Sequence, residues 1–313
     1  MNPEQFKGRS VLTWKDYTAE EIRYLLELSK EVKKQKQRGD IYQRFIGRTL
    51  ALIFEKRSTR TRCAFETAFG EEGGHPVFLS TQDIQLGAKE SVEDTARVLG
   101  RMFDAIEFRG FKQETVELLA AYSGVPVYNG LTDQFHPTQA LADIMTLEET
   151  FGQAAGKKLC FVGDGRNNVA RSLMVICSKL GIHFTVVTPK ALYPDQVLQE
   201  LCRQYGALSG ATLEISDDRN AVEGACAIYT DVWVSMGEEA QRDERIQLLN
   251  PYQVNQTLME KTGRSDTIFL HCLPAVKGEE VTTDVIDGPQ SKAWDQAENR
   301  KHTIKAIMLA TIK

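Results

Sequence analysis

Apolar positions along the chain follow two alternating rhythms, and the alternation predicts the fold class. Short β-rich runs at Thr49 to Phe54, Val77 to Leu79, Ala105 to Phe108 and Val125 to Tyr128 are separated by stretches of helical periodicity. Thr18 to Lys36 opens the series as an amphipathic helix, with Ile22, Leu25, Leu26 and Leu28 on its apolar side. Thr59 to Phe69 reads as a helix ended by Gly73 and Gly74, and further helices are expected at Ser91 to Gly100 and Gln113 to Ala121. A long helix from Pro137 to about Phe151 carries its proline near the first turn, where the missing N–H is harmless. The small, polar run Gly152 to Lys158 places a domain boundary near residue 150.

A second series begins with the strand Leu159 to Gly163. It continues with strands near Phe184 to Thr188, Thr212 to Ile215, Ala227 to Thr230 and Thr267 to Leu270. From Lys292 the chain turns helical again, with Ile304, Ile307, Met308 and Ala310 as candidate buried positions. The pattern predicts an α/β protein of two doubly wound domains with parallel central sheets. In such sheets ligands bind beyond the carboxyl ends of the strands, which is where the chemistry is sought.

Composition narrows the function classes. At 313 residues the chain has room for two domains of roughly 100–200 residues each. A net charge of -5 gives no support to a nucleic-acid partner. No apolar run reaches the roughly 18 residues of a membrane span, and Met1 to Lys15 lacks the apolar core of a signal peptide. The six cysteines are scattered, with no CxxC pair and no zinc spacing, as expected of free thiols in a reducing, cytoplasmic setting.

The first chemical motif is the turn Ser58, Thr59, Arg60, Thr61, Arg62 at the end of the first strand. A helix N-terminus offers unpaired N–H groups and a partial positive charge. The hydroxyls add donors, and Arg60 can grip phosphate oxygens with two bonds. The same run reads alternatively as a solvated basic face with Ser58 as an ordinary N-cap.

His136, Pro137, Thr138 and Gln139 sit at a strand–helix junction, where an imidazole and an amide could meet a carbonyl and an NH2 group, or simply cap and pack. His271 and Cys272 follow an apolar strand. Neighbours on a strand point to opposite faces, so a buried structural thiol is preferred over a nucleophile–base pair. The run Gly163, Asp164, Gly165, Arg166, Asn167, Asn168 begins like a dinucleotide fingerprint, but Asn168 stands where the third glycine belongs. Asp231 at a strand end suits a substrate ammonium, with Ser235, Met236 and Gly237 following it in a loop. Arg300 lies in the last helix as an ion-pair partner or a further anion ligand.

Taken in order, STRTR, HPTQ, GDGRNN, DVWVSMG, HCLPA and AENR resemble the aspartate/ornithine carbamoyltransferase family over essentially the whole chain. SMG and HCLP look like the ornithine branch. The resemblance implies a carbamoyl-phosphate-binding domain, 1–150 with the returning helix 292–313, and an ornithine-binding domain, 151–291. It implies transfer of the carbamoyl group of carbamoyl phosphate to the side-chain amine of L-ornithine, giving L-citrulline and phosphate, with no metal or organic cofactor.

Residue by residue, it implies that Ser58, Thr59, Arg60 and Thr61 bind the phosphate end. Arg109, His136, Gln139, Arg300 and the backbone of Leu273 would surround the carbamoyl group. Gln85 would reach a neighbouring subunit's site in a homotrimer or a multiple of trimers. Asn168, Asp231, Ser235 and Met236 would hold the amino-acid end of ornithine, with Cys272 near its attacking amine. Arg57 and Arg62 receive no role. The rival readings are a carbamoyltransferase for another amine such as putrescine, a nicotinamide-dependent dehydrogenase built on GDGRNN, and a non-catalytic relative.

Overall fold

The computed structural model describes residues 2–80, 84, 86, 89–234 and 239–313. The chain runs α1 (Ala19–Arg38), β1 (Thr49–Phe54), α2 (Thr59–Gly70), β2 (His75–Ser80), α3 (Val92–Met102), β3 (Ala105–Arg109), α4 (Gln113–Ser123), β4 (Val127–Leu131) and α5 (Pro137–Phe151). It continues through β5 (Lys158–Val162), α6 (Asn168–Leu180), β6 (His183–Val187), α7 (Gln196–Ser209), β7 (Leu213–Ser216) and β8 (Ala227–Thr230). Then follow α8 (Arg242–Leu249), α9 (Gln256–Glu260), β9 (Ile268–His271), α10 (Thr283–Ile286) and α11 (Ala293–Thr311). Two compact units result, 1–142 with 299–313 and 143–298, the divisions falling inside α5 and α11.

Each unit has its own parallel sheet, in the order β2-β1-β3-β4 in the first and β7-β6-β5-β8-β9 in the second. The strand order reverses between β1 and β3 and between β5 and β8, and these are the switch points at which such sheets bind ligands. Leu50, Ala51, Leu52 and Ile53 of β1 are fully buried, as expected of a strand covered on both faces. Ala51, Ile53, Ile106, Phe108 and Val127 form one face, packed into a core with Ala96 of α3 and Val116 and Leu119 of α4. The opposite face carries Glu107 and Tyr128 in register, and Tyr128 stacks on Phe65 of α2.

The elements start and stop for local reasons. Thr18 and Glu21 close a capping box on α1, and Gly39 ends it in the left-handed region. On α1 the buried stripe proceeds from Leu25 to Ser29 and Val32, leaving Leu28 half-buried; the Ser29 hydroxyl donates to the Leu25 carbonyl. The fourth strand begins at Val127 rather than Val125. Gly124 ends α4 at φ +74 and Pro126 has no N–H to give the ladder, so pairing starts one residue later.

The end of α11 is tied to the rest of its unit by charge. Glu71 accepts from Lys305 at 2.8 Å and Lys36 at 2.9 Å, and pairs with Lys301 at 3.4 Å. Burial alone would raise its pKa, but the hydrogen bonds from Lys305 and Lys36 outweigh this and lower it to about 2. A depressed carboxylate pKa contributes stability that is full above its unfolded value and is lost as pH falls through its folded value. Glu71→Gln should therefore cost about 1 kcal/mol at neutral pH, since the pairs are partly screened. Urea unfolding of the two proteins should show the difference shrinking from about pH 4.5 towards about pH 2; an equal difference at both ends would reject the charge tie.

Candidate active site

In the first unit β1 runs through residues 55–57 into α2. Ser58 is the N-cap in extended conformation, and its hydroxyl accepts from the Thr61 N–H at 3.1 Å. That bond fixes the first turn of the helix and points Thr61 inward, where it is buried. Its hydroxyl oxygen accepts from Arg300 of α11 at 3.0 Å and from Arg109 at the end of β3 at 3.3 Å. Arg300 also donates to the Gln139 side-chain oxygen at 2.8 Å and to Thr138 at 3.4 Å. Four stretches distant in sequence thus meet at the carboxyl ends of β1 and β3.

His136 lies against this cluster. Burial, together with the charges of Arg300, Arg109 and Arg60, holds its pKa well below the ordinary histidine value. A neutral ring keeps one N–H donor and one acceptor. The loop before it is stiffened by neutral polar groups that the sequence did not single out. Thr132 donates to Gln113 at 2.6 Å, the Phe135 N–H donates to Thr132 at 3.2 Å, and Asn129 donates to Gln113 at 3.2 Å. Arg62 turns elsewhere, pairing with Glu66 at 2.9 Å and stacking 3.7 Å over Phe78, while Arg57 is exposed. These two are local surface and packing groups.

In the second unit Gly163 leaves β5 at φ +141, and Asn167 caps α6 by accepting from Val169 at 2.7 Å. The Asn167 amide also donates to Asp231 at 2.9 Å, at the end of β8. The sequence pointed to Asn168; the bond to Asp231 is made by its neighbour. Asp231 further accepts from the Val232 N–H at 2.8 Å and from the Cys272 thiol at 3.0 Å. Cys272 is half-buried rather than buried as the structural reading expected: its place after β9 turns the sulfur onto Asp231.

His271 is fully buried and works differently. Its Nδ1 accepts from the Leu273 N–H at 2.8 Å, and its Nε2 lies 3.2 Å from Glu280. These bonds flank Leu273, which sits at φ +60. A leucine in the left-handed region is strained, so its surroundings must hold it there. Asp231, His271 and Cys272 each place one ligand atom within 4.8 Å of the others and could hold a metal ion. After β8 the Trp233 carbonyl accepts from Arg245 at 2.6 Å, and Arg245 also donates to Asp164 at 2.5 Å. Gln85, Ser235 and Met236 lie outside the described residues.

No helix among the described residues is long and apolar enough to cross a membrane. Residues 9–149 match the model of the aspartate/ornithine carbamoyltransferase carbamoyl-P binding domain, and residues 155–311 match that of the Asp/Orn binding domain. The chain is 67% identical over 307 residues to an ornithine carbamoyltransferase of Caldanaerobacter subterraneus subsp. tengcongensis, covering 98% of each. It is 65% identical over 306 residues to that of Pseudothermotoga lettingae, covering 97% of this chain and 98% of the relative. Among solved structures it resembles ornithine carbamoyltransferase from Pyrococcus furiosus, with a TM-score of 0.95 and 48% identity over 98% of each chain. The chain belongs to the aspartate/ornithine carbamoyltransferase family.

Proposed function

We propose that the chain transfers the carbamoyl group of carbamoyl phosphate to the side-chain amine of L-ornithine, releasing L-citrulline and phosphate. The observation that carries this is the meeting of Arg109, Arg300, Gln139 and His136 around Thr61 at the N-terminus of α2. A surplus of buried positive charge on neutral oxygens, at a helix N-terminus, is a site for a compact anion. Ser58, Thr59, Arg60 and Thr61 hold its phosphate. Arg109, Arg300 and the neutral His136 ring donate to the carbonyl oxygen, and Gln139 accepts from the amide.

In the second unit Asn168 and Asp231, with Ser235 and Met236, hold the amino-acid end of ornithine, and Cys272 serves near its attacking amine. Leu273, held left-handed, offers its backbone as an acceptor. The deprotonated amine attacks the carbonyl carbon. The C–N bond forms, the carbonyl oxygen becomes an oxyanion, and its collapse breaks the C–O bond to phosphate. The departing phosphate takes the proton shed by nitrogen. Donors preset at the oxyanion stabilise it without reorganising during the reaction. The family suggests a homotrimer in the cytoplasm in which Gln85 reaches a neighbouring site, and light scattering of the purified protein tests the trimer.

Citrulline formation with ornithine, compared with carbamoylation of putrescine and of acetylornithine, tests the substrate. Turnover of putrescine alone would overturn the assignment. Arg60→Ala should raise KM for carbamoyl phosphate by about 10–100-fold, the loss of a charged two-pronged contact, while circular dichroism stays that of the parent. Unchanged kinetics would mean that the phosphate site is elsewhere.

His136→Asn should lower kcat by about 10²–10³, as removal of one oxyanion donor does elsewhere. Because His136 is already neutral well below the usual histidine range, its protonation is not the source of an acid limb in kcat/KM. That limb should persist in the variant, and its disappearance from the pH profile would contradict the neutral-donor role.

A further inference from the structure

Glu107 lies on β3 two residues before Arg109, on the same strand face, and is fully buried. Neither of its carboxyl oxygens has a hydrogen-bond partner among the described residues. Its position is well defined. A Cβ at residue 130 would stand 1.8 Å from Glu107 Oε1 and 3.2 Å from the Thr61 methyl, so the carboxyl rests over the bare backbone of Gly130, beside Thr61. Only glycine at 130 leaves room for it. The acid therefore sits beside Thr61, whose hydroxyl gathers Arg109 and Arg300.

An ionised carboxylate so placed would draw a guanidinium into a short, two-pronged pair. It forms no ion pair with either arginine; both instead reach Thr61, and Arg300 reaches Gln139. The arrangement is that of a neutral acid. Burial drives Glu107's pKa well above the ordinary carboxylate value, against the opposing pull of Arg109 and Arg300.

We propose that Glu107 is a positioning residue kept as a neutral acid beside the anion site, where it leaves Arg109 and Arg300 to a phosphate-bearing ligand, and that ionising it draws them away. A neutral acid adds no negative charge to a pocket that must receive a dianion. The ionised form would compete with the ligand for the same two cations. As pH rises through the titration of Glu107, anion affinity falls.

The other groups around it do not produce this limb. Arginines stay charged throughout. His136 is neutral from well below its ordinary range, and burial raises Tyr128, the register partner on β4, far above its own. Arg60 and Thr61 complete the surroundings from α2.

The proposal rests on reading this cluster as the carbamoyl phosphate site, and the experiment separates the two. Phosphonoacetamide, a stable analogue carrying both a phosphate-like group and the carbamoyl amide, is titrated calorimetrically into the parent, Glu107→Gln and Arg60→Ala proteins from neutral to alkaline pH. The expected result is equal affinity of parent and Glu107→Gln, within about twofold, at the lower end. Above its titration the parent should lose affinity by up to about tenfold per pH unit, as a single linked proton requires, while Glu107→Gln stays flat. KM for carbamoyl phosphate should follow the same split, with kcat unaffected.

The same alkaline loss in Glu107→Gln, or none in the parent, overturns the proposal. Analogue binding unchanged in Arg60→Ala overturns the site reading instead. If Glu107→Gln does not fold, infrared difference spectra of the parent still decide: a buried protonated carboxyl band at neutral pH that vanishes on alkalinisation is expected, and its absence at neutral pH refutes the idea.

Discussion

The hydroxyl oxygen of Thr61 is shared by two buried guanidiniums, one from the end of β3 and one from α11, and the first unit is organised around that meeting. Thr61 is aimed inward because Ser58 caps its N–H. Arg109 reaches it because β1 and β3 pair in register, Phe54 beside Arg109. Arg300 reaches it because α11 is held by Lys305 to Glu71 and by Tyr128 to Thr311 at 2.7 Å. Like charges gathered in a low-dielectric interior repel strongly. Around them the fold places the neutral oxygens of Thr61, Thr138 and Gln139 and an uncharged His136.

The parallel sheet explains why these groups can be so far apart in sequence. Each strand ends at the same edge, and at the switch point the connections on either side leave in opposite directions, opening a crevice. In the first unit β1 and β3 flank that point and supply the 58–61 turn and Arg109. In the second, β5 and β8 flank it and supply Asn167 and Asp231, with Cys272 following β9. The same topology thus serves two different ligands, because the sheet fixes only where side chains emerge. The residues at the strand ends decide what they bind.

Much of this was legible in the chain, for identifiable reasons. Buried parallel strands are continuous apolar runs, so Thr49 to Phe54 and Ala227 to Thr230 stood out, and hydroxyl–arginine alternation after a strand marked the anion turn. What escaped was set by partners remote in sequence. Nothing local reveals that Asn167, rather than Asn168, meets Asp231, since that depends on the approach of β8 to β5. Glu107 reads as an ordinary polar residue in a strand until Gly130 is seen to make room for it on the neighbouring strand. Gln113, Asn129 and Thr132 form one network only after α4, β4 and the loop to His136 are brought together.

The two units solve opposite electrostatic problems by the same device. In the first, positive groups are bonded to the neutral oxygens of Thr61, Thr138 and Gln139. In the second, the largely buried carboxylate of Asp231 accepts from an amide, a thiol and a backbone N–H, none of them charged. Neutral donors satisfy the oxygens without cancelling the charge, so a desolvated negative centre is left that favours a cationic ligand. A lysine or arginine in place of Asn167 would instead neutralise Asp231. Hydrogen bonds of neutral groups therefore set the geometry of each cluster, and the charge they leave uncancelled has opposite sign in the two: positive at the end of β1, negative at the end of β8.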